Sequence, residues 1–304
     1  MPARQYEVVI VGAGPAGLSA AVVLGRCRRR VLLCDAGHQR NIRSLAMHCY
    51  LTRDGIAPAE FLSLAHLDLV HYPAVEVLRQ AVTSGRRIPS GFEVTLENGD
   101  VVQARRLLLA TGVVDDIPDI KGIDALYGTS VHHCPYCDGW EWRDQPIAVY
   151  GKGSHVAGLA MTLRTWSSAL VVCADGPGEF SPAERAMLER HGIQVREERV
   201  HELVGRDGLI EQVVFERGEP FSCRAFFFNT GQRQHSSLAA EFGCEFNERG
   251  TVVTGRFETT NVPGLFVARD ASKAVQFVIM AAAEGADAAC EINRSLEEED
   301  RIPP

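Results

Sequence analysis

Short, uniformly apolar runs alternate with glycine-bearing turns and amphipathic stretches along this chain. Glu7-Val8-Val9-Ile10-Val11 is apolar at consecutive positions, which predicts a parallel strand covered on both faces. It enters Gly12-Ala13-Gly14-Pro15-Ala16-Gly17 and an apolar helix through Leu24. The run Arg30 to Cys34 predicts the next strand, ending in Asp35. An irregular, polar segment from Gly37 to Pro58 follows, and then Pro58 to Leu69 predicts a helix. Val75 to Val82, Phe92 to Leu96 and Val101 to Leu109 predict strands, with Asn98-Gly99 as a hairpin turn. The last of these closes on Ala110-Thr111-Gly112, residues small enough to let backbone pass near a ligand.

A break in composition at Val114 to Gly122, holding Asp115, Asp116, Pro118 and Asp119, predicts an interdomain linker. Beyond it the first pattern recurs. Pro146 to Tyr150 predicts a buried strand, Gly151 to Gly158 a second glycine-rich turn with a helix to about Trp166, and Leu170 to Asp175 a strand with a terminal acid. This βαβ unit lies about 140 residues after the first, an internal duplication. A helix at Pro182 to His191 and strands up to Phe228-Asn229-Thr230-Gly231 complete it. The closing segment holds Asn261 to Asp270, read as turn, strand and acid, and an Ala-rich helix from Phe277 to Asn293. The tail from Glu297 to Pro304 is acidic and reads as loose. The fold class is therefore α/β, with two Rossmann-like, three-layer nucleotide-binding units.

The first glycine turn has the context that gives such a turn meaning. The glycines let backbone approach a pyrophosphate, the helix N-terminus faces the negative charge, and an acid about twenty positions on can take a ribose hydroxyl pair. Composition bounds the rest. The 304 residues suffice for two domains, and 46% hydrophobic with 23% charged residues is the balance of a soluble globular protein. No run is long and apolar enough to span a membrane, and the N-terminus reads as a polar lead with no signal peptide. The formal charge of −8 disfavours nucleic acid as a partner; Arg26, Arg28, Arg29 and Arg30 are a local exception, read as a solvated helix end ahead of a basic surface patch. Nine cysteines, scattered but for one pair, fit a reducing cytoplasm better than a secreted disulfide framework.

That pair carries the chemistry. In His132-His133-Cys134-Pro135-Tyr136-Cys137-Asp138-Gly139-Trp140 the cysteines can close a small disulfide ring, opened and closed by two electrons. Asp138 adds a carboxyl group within proton-transfer reach. Half of a zinc site with His132 or His133 is the other reading, but no second Cys/His pair lies at ligand spacing. Asn41 and His48 are candidates for lining a cofactor pocket, Trp140 and Trp142 for a docking rim or domain-edge packing, and His132 and His133 for tuning the thiols or for solvated loop positions. Cys27, Cys34, Cys49, Cys173, Cys223, Cys244 and Cys290 read as small hydrophobes.

Taken together, Gly12 to Gly17, Ala110-Thr111-Gly112, Cys134 to Gly139 and Val262 to Asp270 resemble, in order and spacing, the low-molecular-weight thioredoxin reductase family. The resemblance implies an FAD domain from residues 1–115 and 244–304, with a nucleotide-type domain at 116–243 inserted into it. It implies FAD held by Gly12, Gly14, Pro15, Ala16 and Gly17, by Asp35 and Asp270, and by Asn41, His48, Val82, Ala110, Thr111, Gly112, Gln276 and Phe277. It implies that Cys137 exchanges electrons with the flavin, that Cys134 reacts with the partner's disulfide, and that Asp138 is the acid–base group. It further implies a cytoplasmic homodimer whose inserted domain swings, acting on thioredoxin or a thioredoxin-like protein.

Three departures from the family pattern bear on the electron donor. The second turn reads Gly151-Lys152-Gly153-Ser154-His155-Val156-Ala157, where the family has Gly-Gly-Gly-Asp-Ser-Ala and an acid. The arginine run that clamps the NADPH 2′-phosphate is replaced by Cys173-Ala174-Asp175-Gly176-Pro177, where an acid repels that phosphate and suits NAD at best. Arg269 stands where the family has glycine before the flavin-binding acid. The expected donor is therefore not NADPH, and ferredoxin takes its place. The alternatives are NADPH or NADH through a remodelled loop, and a small-molecule dithiol oxidase using oxygen. In such oxidases a His follows the second cysteine, and Asp138 here favours the reductase branch.

Overall fold

The uniformly apolar run near the N-terminus is strand β1 (Arg4–Val11), at the centre of a sheet. A computed structural model describes residues 4–268 and 276–301. Val8, Val9 and Ile10 of β1 are fully buried, Val9 and Val11 in one apolar cluster and Val8 and Ile10 in another. Each such side chain stabilises the fold by about 1.5–3 kcal/mol. This two-sided burial explains the absence of polar alternation.

From β1 the chain runs through α1 (Pro15–Arg26), β2 (Val31–Cys34), α2 (Pro58–Leu69) and β3 (Val75–Leu78). It continues through β4 (Val82–Ile88), β5 (Gly91–Leu96), β6 (Val101–Leu109) and β7 (Val113–Asp115). Then follow β8 (Val131–His132), α3 (Pro135–Asp138), β9 (Ile147–Tyr150), α4 (Gly153–Leu163), β10 (Leu170–Cys173), α5 (Pro182–Arg190) and β11 (Gln194–Arg196). Strands β12 (Val200–Arg206), β13 (Leu209–Phe215), β14 (Phe221–Ser222), β15 (Ala225–Phe228) and β16 (Gln232–Gln234) come next. Last are α6 (Leu238–Glu241), β17 (Leu265–Val267) and α7 (Val278–Asp300).

The chain forms two compact units, one built from the residues up to Ile42, Cys49–Val114 and those from Gln232 on, the other from Arg43–His48 and Asp115–Gly231. In the first, seven strands run in the order β3-β2-β1-β6-β5-β4, with β17 also on β6. Strands β3, β2, β1, β6 and β17 are parallel, and β5 and β4 are antiparallel. Helices α1 and α7 pack on one face, and α6 with Phe242 and Cys244 contributes to the other. In the second, five parallel strands run β11-β10-β9-β15-β8, beside a three-stranded antiparallel sheet β12-β13-β14. Among the described residues no helix is long and apolar enough to cross a membrane.

Several sequence expectations need correcting. The run Val75 to Val82 is two strands, because β3 pairs with β2 and β4 with β5 at opposite edges of the sheet. Val114 to Gly122 is not a free linker: Asp115 ends a strand, and Ile120 is buried with Ile123 in the second unit's core. The chain returns to the first unit at Gln232 rather than residue 244, since Leu238, Ala239, Phe242 and Cys244 are all in the first core. The tail is not loose from Glu297: α7 extends to Asp300, with Leu296 buried. Arg105 Nη2 lies 2.6 Å from Asp300 and 3.1 Å from Glu299, Arg106 Nη2 2.8 Å from Glu299, and Arg29 Nη1 3.0 Å from Asp300. Cys34, Cys173, Cys223 and Cys244 are buried as expected, burial pushing the Cys34 and Cys223 thiols up to about 12, but Cys27, Cys49 and Cys290 are exposed.

Candidate active site: a redox disulfide and two glycine turns

Cys134 and Cys137 are joined by a disulfide spanning the single turn of α3. The local sequence dictates that turn. Pro135 occupies the first helical position, where its fixed φ and missing N–H cost nothing. Cys134 is the N-cap, and the backbone N–H of Cys137 donates to its Sγ at 3.2 Å. A donor aimed at this sulfur favours its thiolate once the disulfide is open. Both cysteines are partly exposed, with Tyr136 and Trp140 well exposed beside them. The Arg143 guanidinium lies 4.3 Å from the Trp140 ring centroid.

The two histidines before the disulfide face opposite ways, as strand residues must. His132 ends β8, in register with Phe227 of β15, and is buried. Its Nδ1 is 3.3 Å from Asp138 Oδ1, and its Nε2 accepts from Trp142 Nε1–H at 3.0 Å. His133 turns to the other face, its Nδ1 3.1 Å from Tyr127 Oη and its Nε2 3.7 Å from Asp115 Oδ2. His132 is therefore not a solvated loop position, and the zinc reading finds no support in its contacts. Trp142 packs into the second core and serves as donor to His132, a role without local sequence signal.

The first glycine turn is built as a cradle. Gly12 has φ +108°, and a Cβ there would stand 2.3 Å from Ala110 O. A Cβ on Gly17 would stand 1.8 Å from Gly12 O, whereas one on Gly14 would meet nothing within 4 Å. The loop is thus pressed against its own unit and open on one side, which fits the pyrophosphate of a dinucleotide at the N-terminus of α1. Pro15 and Ala16 open that helix. Asp35, at the end of β2, is nearly buried, with Oδ1 accepting from Gly37 N–H at 2.8 Å. Ala110, Thr111 and Gly112 follow β6, and Val82 opens β4. Arg40 Nη1 donates to Gln276 Oε1 at 2.6 Å, and Phe277 caps α7. Asn41 is partly buried in the irregular segment. His48 belongs to the second unit rather than to this one, its Nε2 3.4 Å from Glu141 Oε1. Asp270 and Arg269 lie outside the described residues. The residues present fit FAD: an open cradle, a helix N-terminus and a carboxylate at the next strand's end.

The second turn is closed where the first is open. The Gly153 N–H, at the start of α4, donates to Gly178 O at 2.8 Å, so a donor that a pyrophosphate would use at this helix N-terminus is already bonded to the segment after β10. That segment is held from below. Gly178 N–H donates to Glu197 Oε1 at 3.2 Å and Gly176 N–H to Glu197 O at 3.0 Å. Arg185 Nη2 donates to the same Oε1 at 2.6 Å, and this bond first, with that from Gly178, holds Glu197 below the usual carboxylate range. Lys152, inside the turn, lies 3.7 Å from Glu179. Asp175 points inward: Tyr150 Oη–H donates to its Oδ2 at 3.1 Å and Val200 N–H to its Oδ1 at 2.8 Å. Burial and the Asp175 charge together push the Tyr150 phenol well above its usual range. Sequence reasoning found the acid at position 175 but not the loop that follows it.

A model of the pyridine nucleotide-disulphide oxidoreductase family matches residues 6–285. The chain is 30% identical over 304 residues to a protein of Arthroderma benhamiae named "Probable thioredoxin reductase", covering 89% of this chain and 75% of that one. It is 28% identical over 318 residues to thioredoxin reductase sirT of Leptosphaeria maculans, covering 95% and 93%. Among solved structures, an oxidoreductase from Agrobacterium tumefaciens matches with a TM-score of 0.89 at 31% identity, covering 96% of this chain and 99% of that one. The chain belongs to the pyridine nucleotide-disulphide oxidoreductase family, as a thioredoxin reductase-like, flavin-dependent disulfide oxidoreductase.

Proposed function

We propose that this protein reduces a disulfide of thioredoxin or a thioredoxin-like protein, using electrons that reach its flavin from a donor other than NADPH. The observation that carries the chemistry is the Cys134–Cys137 disulfide on α3 with Asp138 beside it. FAD, when bound at the first glycine turn, relays two electrons between the donor and this disulfide. Gly12, Gly14, Pro15, Ala16, Gly17, Asp35, Ala110, Thr111 and Gly112 would hold it, with Asn41, Val82, Gln276 and Phe277. In the reduced protein the Cys134 thiolate attacks one sulfur of the partner's disulfide, and the partner's other sulfur leaves as a thiolate. Asp138 supplies its proton. Cys137 then attacks Cys134 Sγ, which reforms the enzyme disulfide and releases the partner as a dithiol. Two electrons and two protons pass from the enzyme dithiol to the partner.

The donor reading is supported by the closed second turn, with Gly153 bonded to Gly178 and Asp175 in place of a phosphate-binding arginine. Ferredoxin is the donor we propose. Its docking would draw on Arg26, Arg28 and Arg30: Arg26 donates to the neutral Tyr72 hydroxyl and Arg30 lies over the Tyr6 ring, so their charges are not offset as are those of Arg29, paired with Glu7 and Asp300, and Arg43, paired with Asp124. The same closure favours a second reading, in which Cys134 and Cys137 oxidise a small dithiol and oxygen takes the electrons. Anaerobic bleaching of the flavin by NADPH, NADH and reduced ferredoxin in turn, followed by oxidised thioredoxin, tests both. Bleaching by ferredoxin and reoxidation by thioredoxin is the expected result. Bleaching by a small dithiol with no response to ferredoxin would favour the oxidase.

A further inference from the structure

Trp142 donates a hydrogen bond to His132, whose other ring nitrogen lies 3.3 Å from the carboxylate of Asp138, the residue after the redox disulfide. An indole N–H can only donate, so His132 Nε2, at 3.0 Å from it, must be the ring's acceptor. A neutral imidazole then carries its proton on Nδ1, the nitrogen 3.3 Å from Asp138 Oδ1. We propose that His132 is a positioning residue for thiol–disulfide exchange, with Trp142 fixing the tautomer in which its Nδ1–H holds the Asp138 carboxylate. The inference rests on the reading that Asp138 is the acid–base group.

The surroundings give His132 no competing partner for this work. The ring lies 5.3 Å from that of Phe227 on β15 and 6.1 Å from that of Trp142, and its side chain is 7% exposed. The segment after α4 brings Trp166 against Gly139, and neither Phe227 nor Trp166 titrates. His133 is turned to the opposite face, toward Tyr127 and Asp115. Among the described residues, the ion-pair contact at the His132 ring is the one with Asp138. Asp138 moves the proton, and His132 holds one of its oxygens so that the carboxyl group keeps one orientation.

The test uses the FAD-loaded protein, reduced anaerobically by dithionite and mixed with a small aromatic disulfide across a pH series. Asn can present an amide N–H near the Nδ1 position, whereas Phe keeps the ring volume and presents none. H132N should exchange within about threefold of wild type and H132F about tenfold or more slower, still short of the roughly 10²–10⁴ carried by an acid–base group itself. FAD content and circular dichroism of each variant show that the fold is kept. Nitrogen NMR of the histidines supplies a readout independent of turnover: His132 should carry its proton on Nδ1, and W142F should mix the tautomers. An Nε2–H tautomer in wild type, or H132N as slow as H132F, overturns the proposal. If D138N is slow and H132F is not, only the positioning role fails. If D138N exchanges normally, the acid–base reading of Asp138 fails first and this inference with it.

Discussion

Offering NADPH and NADH to the wild-type protein and to an E197A variant tests the closure of the second glycine turn. For a pyrophosphate to reach the N-terminus of α4, three bonds must break: Gly153 N–H to Gly178 O, Gly176 N–H to Glu197 O and Gly178 N–H to Glu197 Oε1. A neutral bond of this kind contributes about 0.5–1.5 kcal/mol, and one to a carboxylate about 1.5–3 kcal/mol. The Glu197 side chain is 45% exposed, so its bond belongs at or below the low end. The closure then costs a dinucleotide roughly 2–4 kcal/mol, a weakening on the order of 30- to 1,000-fold relative to an open turn. NADPH bears a further loss, because the segment after β10 carries Asp175 and no arginine where the family sequence places its phosphate-binding arginines. Stopped-flow flavin reduction under nitrogen is the assay. Both nucleotides should reduce the flavin poorly, NADPH no better than NADH. E197A, which frees Gly178 on one side, should tighten NADH by about fivefold, the equivalent of about 1 kcal/mol. Fast, saturable reduction of the wild type by micromolar NADPH would refute the reasoning, and so would an E197A variant with unchanged NADH affinity.

Three further outcomes are expected. Purified protein should be yellow with non-covalent FAD, and G17A, whose Cβ would stand 1.8 Å from Gly12 O, should lose it; a flavin-replete G17A would show that the first turn is not the cradle. C137S should abolish electron exchange between flavin and disulfide, whereas C134S should leave a Cys137 thiolate with a long-wavelength absorption band on the flavin and block turnover; the reverse pattern would exchange the roles. Glu299 is held below the usual range because Arg106 and Arg105 outweigh the burial that would raise it, and Asp300 is held low by Arg105 and then Arg29. A depressed carboxylate adds stability above its unfolded pKa and loses it as pH falls through the folded value. So E299Q/D300N should lower the melting temperature at pH 7, and the difference should vanish on acidification through the range below about 4; a difference constant with pH would place the effect elsewhere.

Local patterning determined a large part of this protein. The two-sided burial of β1 and β9, the glycine turns after them, the acids ending β2 and following β10, and the disulfide pair are all short-range features. Each follows from strand periodicity, from positions that only glycine tolerates, or from residues within one helical turn. Pro135 after Cys134 places the turn that brings the two sulfurs together without help from any other element. Only the tertiary structure decided the rest. His132 reads as a loop residue until β8 is placed beside β15, for a strand of two residues has no periodicity of its own. The chain from Trp142 through His132 to Asp138, and the seat of Gly178 on the second turn, join residues whose side chains carry no signal at that spacing. The tail looks loose because four acids in a row repel one another; it is helical because Arg105 and Arg106 of β6 and Arg29 of the turn between α1 and β2 converge on it. Hydrogen bonds and charge pairs between distant segments leave no periodic trace in a sequence, because their geometry exists only once the sheets have placed the partners.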